Sequence, residues 1–411
     1  MKIENRFLKY VSFDTQSDEE STTAPSSMKQ LELADFLAEE MRILGLKDVI
    51  RDEFGIVYGT IPSNNGSFGD RIGFIAHMDT SPDASGKDIH PQIIRNYEGG
   101  IITLNETLGM VLDPEETPEL NDLIHHDLIT TDGTTLLGAD DKAGIAIIMT
   151  MAEFIYRHPE YKHNDIQIAF TPDEEVGRGT DHFNIERFSA DYAYTVDGGK
   201  IEEYSFENFN AYGGEVTIHG KSYHPGDAKH KMINALTIAR EFDALLGETS
   251  RPESTEGYEG FYHLHNMEGD VTHASMHYII RDHDSEKISE LMMHMDDAAD
   301  YLNKKYGMKA VETSFHLQYE NMKQIIAKTP QIVEQIEEAM LDIGMKPAPS
   351  PIRGGTDGAR LSYDGLPCPN LGTGGYNYHG PYEFVSITSM KKGVELILRM
   401  IKNNTEKNMN V

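Results

Sequence analysis

The sequence predicts an α/β protein: a mixed, mainly parallel sheet covered by helices, with a smaller α+β domain inserted into it. Three short apolar runs, IGFIA (72–76), IQIAF (166–170) and YAYTV (192–196), are typical of strands buried on both faces. GIAIIMTMAEFIYRH (144–158) lies between the first two runs and is long enough to be a crossover helix. From about residue 210 fully apolar runs become rarer, which indicates a second kind of domain.

The N-terminal half contains the first helices and the first part of the larger domain. Residues 1–14 and 26–45 are predicted to be helical, because apolar residues recur at near-helical spacing in the second segment. Residues 80–135 are rich in Gly, Pro and acidic residues, and we expect additional strands there at the domain edge. The first part of the larger domain is therefore predicted to span 1–209.

The inserted domain is predicted to span 210–320. Its strands are expected at EVTIHG (215–220) and HASMHYIIRDHD (273–284), and a helix is expected after each. A helix at 330–344 and a Gly-rich segment then return the chain to the larger domain. The second part of the larger domain is therefore predicted to span 321–411.

The charge of the chain argues against several classes of partner. The 411 residues include 36 Lys and Arg against 68 Asp and Glu, a formal net charge of −32. A chain this acidic repels phosphate backbones and anionic lipids. We therefore expect neither nucleic acid nor a membrane surface to be its partner.

Cysteine usage and the apolar segments indicate a cytoplasmic protein. Cys368 is the only cysteine, so the chain is predicted to contain no internal disulfide and no cysteine-based zinc knuckle. The longest apolar stretch, at 145–152, is far shorter than the ~20 residues of a membrane span. The first residues, MKIENRFLKYVSF, lack the apolar core of a signal peptide.

Polar residues follow the ends of the apolar strands. His77 and Asp79 come after the first run, Glu174 and Glu175 after the second, and Asp197 after the third. In open α/β sheets, ligands bind in the crevice beyond the carboxyl ends of the strands. We therefore expect these side chains to meet at one site.

Two further motifs add donors of the same kinds. Asp140 directly precedes the predicted crossover helix, and His379 lies in the Gly-rich segment. Imidazoles and carboxylates without cysteine suit zinc in a catalytic role, or cobalt or manganese. Two ions ~3.5–4 Å apart that share a carboxylate would use this many donors, polarise a scissile carbonyl and activate water. Adjacent Glu174 and Glu175 can supply a general base and a ligand.

Each motif also has an ordinary structural interpretation. Asp140 and Asp141 are typical of a helix cap with an acidic first turn. Asp197 before two glycines is typical of a plain turn, and His379 of a loop histidine. The combination of all the motifs, in order and at strand ends, favours a catalytic metal centre.

Seven segments of the chain together resemble the peptidase T family of tripeptide aminopeptidases. They are HMDTSPDASGKD, LLGADDKAG, FTPDEEVGRG, YTVDGG, KSYHPGDAKHKMINAL, RGGTDGARLS and GGYNYHGPYEFV. That family belongs to a two-zinc exopeptidase superfamily that also contains glutamate carboxypeptidase-like enzymes and deacylases. The resemblance implies a zinc-exopeptidase-like fold and a ferredoxin-like inserted domain that acts as lid and dimer surface.

The resemblance also implies a set of metal ligands. Asp140 would bridge two zinc ions, His77 and Asp197 would complete one site, and Glu175 and His379 would complete the other. It implies a cis peptide bond between Asp140 and the residue after it.

The same resemblance implies catalytic roles. Glu174 would be the general base and Asp79 would orient the His77 ring. His224 would reach the active site of the partner subunit in a homodimer and stabilise the oxyanion. Its ordinary interpretation is a turn residue before Pro225.

Substrate-binding roles follow from the resemblance as well. Arg281 and Arg353 would bind the C-terminal carboxylate of the substrate, and Asn377 its backbone. An ion pair with a neighbouring aspartate is the ordinary interpretation of Arg281. Three histidines outside the matching segments are not expected to bind metal: His125, His126 and His283.

The expected function is release of the N-terminal residue from short peptides, chiefly tripeptides. The alternatives are a related two-zinc dipeptidase, a carboxypeptidase, an N-acyl amino acid deacylase and a non-catalytic metal-binding homologue. The sequence itself does not reveal the pocket that would bind a free amine, so these alternatives stay open.

Overall fold

A computed structural model describes residues 1–66 and 69–409. Ser67, Phe68, Asn410 and Val411 belong to the predicted domain ranges but lie outside the described residues. The helices are α1 (Ile3–Val11), α2 (Gln30–Ile43), α3 (Ala139–Arg157), α4 (Ile185–Phe188), α5 (Ala235–Leu245), α6 (Ser285–Tyr306), α7 (Lys323–Ile326), α8 (Gln331–Asp342), α9 (Asp357–Tyr363) and α10 (Ile387–Met409).

The strands of the described residues fall into two long sheets and two small ones. They are β1 (Lys47–Arg51), β2 (Val57–Ile61), β3 (Ile72–His77), β4 (Gln92–Ile94), β5 (Ile102–Asn105), β6 (Met110–Leu112), β7 (Leu128–Thr130), β8 (Ile166–Thr171), β9 (Tyr192–Val196), β10 (Glu203–Ser205), β11 (Asn210–His219), β12 (Phe261–Gly269), β13 (His273–Asp282), β14 (Val311–Tyr319), β15 (Ala348–Pro349), β16 (Asn370–Leu371), β17 (Gly375–Tyr376) and β18 (Phe384–Ser386).

The chain divides into two compact units. Unit 1 comprises residues 1–206, 324–350 and 356–411, and unit 2 comprises 207–323 and 351–355. Unit 2 thus includes a short segment that the sequence assigned to the larger domain. The reason is long-range backbone pairing, since the Phe209 N–H donates to the Ile352 carbonyl at 3.1 Å.

Unit 1 is built on an eight-stranded mixed sheet with the order β1-β2-β8-β3-β9-β16-β10-β15. The central strands β8, β3 and β9 are parallel, and every residue of the three is buried. These are the three apolar runs of the sequence, and the predicted fold class is confirmed. The outer strands β1 and β2 are antiparallel additions that the sequence did not reveal.

Helix α3 is the predicted crossover, and it begins earlier than the apolar run alone indicates. Apart from one intermediate position near its middle, it is buried from Asp141 to Ala152, because it packs within unit 1 among β3, β9 and α10. A helix that is apolar on all sides is stable only in such a buried position. Its N-terminus therefore lies inside the protein, beside the carboxyl ends of the parallel strands.

The segment after β3 forms the additional strands expected at the edge. β4 and β7 join the late strands β17 and β18 in a four-stranded sheet, and β5 pairs with β6. This small sheet ties the Gly-rich late segment to residues near 130 in unit 1.

Unit 2 has the chain order β-α-β-β-α-β. Its four antiparallel strands lie in the order β12-β13-β11-β14, which with α5 and α6 is the arrangement of a ferredoxin-like fold. Buried residues such as Val216, Phe242 and Leu302 form its own core between sheet and helices. In the part of the chain that the structure describes, no helix is long and apolar enough to cross a membrane.

Candidate metal centre

Three parallel strands bring their functional side chains to one edge of the unit 1 sheet. His77 is the last residue of β3, Glu174 and Glu175 begin a short 3₁₀ turn after β8, and Asp197 follows β9. Because β3 lies between β8 and β9, the His77 imidazole has carboxylates on both sides.

Asp140 lies between two imidazoles. Its Oδ1 is 2.8 Å from Nε2 of His77, and its Oδ2 is 3.5 Å from Nε2 of His379. The loop before it turns through Gly138 at φ +77°, and the Asp140–Asp141 peptide bond is cis. The two distances place a different histidine at each carboxylate oxygen of Asp140, which is the geometry of a bridging ligand.

His379 and Glu175 form the second side of the cluster. Nε2 of His379 is 2.9 Å from Oε2 of Glu175, and Nδ1 of His379 is 3.2 Å from Oδ2 of Asp83. Oε1 of Glu175 is buried without a hydrogen-bond partner among the described residues. Burying a carboxylate oxygen without a hydrogen-bond partner costs free energy. A cation bound to this oxygen would offset that cost.

Asp197 and Asp141 lie on the His77 side of the cluster. Oδ1 of Asp197 is 3.8 Å from Nε2 of His77. Asp141 accepts the backbone N–H of His77 at 3.3 Å and that of Gly144 at 3.0 Å. The capping interpretation thus applies to Asp141, whose bond to His77 also joins α3 to β3.

Asp79 links the Glu174–Glu175 turn to His77. It is fully buried, and its two carboxylate oxygens accept the N–H groups of Glu174 and Glu175, each at 3.1 Å. Its Oδ1 also lies 3.3 Å from Nδ1 of His77. Asp79 therefore fixes the Glu174–Glu175 turn as well as the neighbouring imidazole.

Burial and mutual repulsion raise the pKa of several of these carboxyls. Burial, with the nearby Asp140 charge, raises the pKa of Glu175 to about 7 and that of Asp197 to about 8. Burial also raises the pKa of Glu174 well above its usual range. Hydrogen bonds to Asp140 and Glu175 raise the pKa of His379 to about 11. The cluster therefore attracts positive charge strongly.

The donors fit divalent first-row metals. Donor atoms of His77, Asp140 and Glu175 lie within 4.8 Å of one another, and so do those of His77, Asp141 and Asp197. Imidazole nitrogens with carboxylate oxygens are the ligands of catalytic zinc, and also suit cobalt and manganese. Asp140 with one histidine on each oxygen allows two ions to share it.

Three buried charged groups around this cluster have no role predicted from the sequence. Asp357 accepts the Thr171 hydroxyl at 2.8 Å, and Glu383 accepts backbone N–H groups of the loop before α3. Lys142 is fully buried and donates to the Phe13 carbonyl at 3.1 Å. Both carboxyls stand in the matching segments RGGTDGARLS and GGYNYHGPYEFV, which was the available signal.

Three of the residues predicted from the sequence belong to unit 2: His224, Arg281 and Arg353. His224 is exposed and caps a short turn, with its Nδ1 accepting the Gly226 N–H at 3.2 Å. Arg281 donates to the carbonyls of Tyr212 and Ile280 and to the Gln318 side chain, and burial lowers its pKa. Each of these acceptors is uncharged.

Arg353 binds a loop of its own unit. Its terminal nitrogens donate to the carbonyls of Gly257 and Glu259 at 2.7 and 3.0 Å and to the Thr255 hydroxyl at 3.1 Å. The guanidinium also stacks on Phe209, 5.0 Å from the ring centroid. Most of its donors are therefore used within unit 2.

The remaining predicted residues lie in loops. Asn377 is exposed, has φ +53°, and donates to the Thr117 hydroxyl at 3.2 Å. The donor groups found within the described residues include none of the three histidines set aside from the sequence: His125, His126 and His283.

Comparisons with known proteins agree on one relationship. The model of peptidase family M20/M25/M40 matches residues 136–403. The chain is 52% identical over 401 residues to peptidase T of Caldanaerobacter subterraneus subsp. tengcongensis, covering 98% of both chains. It is also 52% identical over 406 residues to peptidase T of Clostridium perfringens, covering 99% of this chain and 100% of the other.

A solved structure has the same fold. The crystal structure of an aminopeptidase PepT from Bacillus cereus superposes with a TM-score of 0.77 at 24% sequence identity, and 98% of each chain is covered.

Proposed function

The chain belongs to peptidase family M20/M25/M40, and we propose that it is a metallo-aminopeptidase that releases the N-terminal residue of short peptides, chiefly tripeptides. The observation that supports this most is the Asp140 carboxylate between the imidazoles of His77 and His379. Full-length identity of about half to proteins named peptidase T supports the substrate class.

The residues of this cluster would hold two metal ions, proposed to be zinc, with cobalt or manganese as alternatives. His77 and Asp197 would hold one ion, Glu175 and His379 would hold the other, and Asp140 would contribute to both. When bound, such ions polarise the scissile carbonyl and lower the pKa of a coordinated water.

Glu174 is the proposed general base. It lies next to the ligand Glu175, but its side chain is in neither group of clustered metal donors. Asp79 fixes the Glu174 backbone through the 3.1 Å hydrogen bond to its N–H, so the carboxyl has a defined position. The Glu174 carboxylate takes a proton from the attacking water and passes it to the leaving amine.

Residues of unit 2 are proposed to bind the substrate. Arg281 has a half-buried guanidinium whose hydrogen-bond acceptors Tyr212, Ile280 and Gln318 are uncharged, so a peptide carboxylate would satisfy its charge. Arg353 is also proposed to bind the carboxylate, through N–H groups that do not bind the loop at residues 255–259. Asn377 of unit 1 is proposed to contact the substrate backbone.

His224 is proposed to act in the partner subunit of a homodimer formed through unit 2. It lies in an exposed segment, 221–231, that includes Lys221, Lys229 and Lys231. A basic, exposed loop on a chain of net charge −32 complements an acidic metal centre. A cytoplasmic location is also proposed, since the single cysteine is buried and unpaired.

The decisive test of this function is a panel of free and blocked peptides assayed with two metal ions bound. We expect a free tripeptide to lose its first residue and the N-acetylated tripeptide to resist cleavage. Rapid hydrolysis of the acetylated peptide would instead identify a deacylase or carboxypeptidase. Preference for dipeptides would identify a dipeptidase, and no hydrolysis of any peptide would favour a non-catalytic metal-binding protein.

A further inference from the structure

We propose that Glu383 is a positioning residue that fixes the loop of Asp140 and thereby sets the affinity of both metal ions. This inference rests on the proposed metal centre.

The Glu383 carboxylate is surrounded by backbone N–H groups. Oε2 accepts those of Leu137 and Gly138 at 2.6 and 2.8 Å, and Oε1 accepts that of Asp140 at 3.1 Å. The residue is only 1% exposed. Hydrogen bonds from N–H groups to a buried carboxylate are among the strong ones, so three of them fix the loop firmly.

The loop needs this acceptor because of its backbone conformation. Gly138 is left-handed at φ +77°, and Asp140 is non-helical at φ −83° and ψ 105° although it lies at the start of α3. N–H groups at the beginning of a helix have no carbonyl acceptor within the helix. The Glu383 carboxylate satisfies the N–H of Asp140 in this first turn and also those of Leu137 and Gly138 in the loop before the helix.

Glu383 also joins two ligands of the proposed centre. It follows His379 by four residues in the same segment, while its oxygens bind the loop that presents Asp140. Asp140 faces a histidine with each oxygen, so displacement of its loop alters both metal sites together. Asp79 has the corresponding position beside Glu174 and Glu175. Each of the two loops thus has its own buried carboxylate.

The test compares Glu383→Gln with wild type by competition for Co²⁺ against a chromophoric chelator. Glutamine keeps the volume but has a single acceptor oxygen, so at least one of the three bonds is lost. We expect Co²⁺ to bind about 10–100-fold more weakly at both sites, the range typical when a ligand loses its supporting contacts. The visible spectrum of the bound Co²⁺ should change as well.

The control is Glu153→Gln, another buried glutamate of unit 1, which pairs with Arg6 at 2.8 Å. This change is expected to lower thermal stability and to leave Co²⁺ affinity unchanged. If Glu383→Gln behaves like this control, Glu383 has only a structural role and the inference is overturned.

A double variant distinguishes positioning from a general loss of stability if Glu383→Gln and Glu153→Gln are both less stable than wild type. In an Asp140→Asn background, Glu383→Gln should weaken Co²⁺ binding by no more than about 2-fold, because positioning residues act through the group they position. Fully multiplicative effects would contradict the inference. Wild-type protein that binds no Co²⁺ would refute the proposed centre itself, which is a separate outcome.

Discussion

Replacing Gly144 with alanine tests how closely α3 must approach the sheet. A Cβ on Gly144 would lie 1.9 Å from the carbonyl oxygen of Val196 and 2.5 Å from Oδ1 of Asp141. Contacts under 3.0 Å essentially never occur for a Cβ, so α3 and the end of β9 must separate by about 1 Å. Backbone atoms cannot give way as the end of a side chain can.

The cost follows from two opposing terms. Overpacking of a well-packed core costs ~1–3 kcal/mol or more, and alanine in place of glycine in a helix returns ~1 kcal/mol. The separation also acts on the metal centre, because Asp140 lies four residues before Gly144 and Asp197 directly follows Val196. A misplacement of about 1 Å in a catalytic arrangement can cost ~100-fold in rate.

The assay is thermal unfolding together with kcat/KM on a tripeptide, and Gly393→Ala is the matched control. Gly393 lies in α10, and its Cβ would meet mainly Cδ1 of Ile147 at 2.8 Å, the end of a flexible side chain. We expect the control to stay within about 1 kcal/mol of wild type. Gly144→Ala should lower Tm by a few degrees and kcat/KM by at least ~10-fold. Equal stability and activity of the two variants would show that α3 does not need the close approach at Gly144.

Three further predictions concern the base, the partner subunit and acid. Glu174→Gln should keep its metal content while kcat falls by at least ~100-fold, and near-normal turnover would remove Glu174 from the mechanism. Mixing His224→Ala with Glu174→Gln protein should restore partial activity in hybrid dimers; no recovery despite subunit exchange would contradict action across the dimer. Burial lowers the pKa of His163, which is 2% exposed. As pH falls, the His163 imidazole is therefore protonated at a higher pH in the unfolded chain than in the folded protein. Stability should therefore fall as pH drops below about 6.5, and His163→Gln should lessen that fall in Tm measured from pH 7 to 5; an identical pH dependence would refute it.

The sequence revealed the part of the site that depends on strand ends. An apolar run followed by His77 or Asp197 predicts both a buried parallel strand and the edge to which its next residue belongs. Because β8, β3 and β9 are adjacent, the pattern predicts that candidate ligands from separate segments lie together.

The rest depended on contacts between distant segments that no local pattern encodes. Glu383 and Asp79 accept hydrogen bonds from backbone N–H groups of other segments. The local sequence around such a carboxylate does not differ from that around a carboxylate exposed to solvent. Strands β12 and β14 are half exposed, so they lack the continuous apolar runs that identified the central strands. Arg353 pairs with a loop almost a hundred residues earlier in the chain.

The most direct measurement is an anomalous difference map of zinc-loaded crystals at the zinc absorption edge. The proposed metal centre predicts two peaks flanking the Asp140 carboxylate, one within ~2.0–2.2 Å of His77 and Asp197 donors and one at that distance from Glu175 and His379. A single peak, or peaks bound by other side chains, would contradict it.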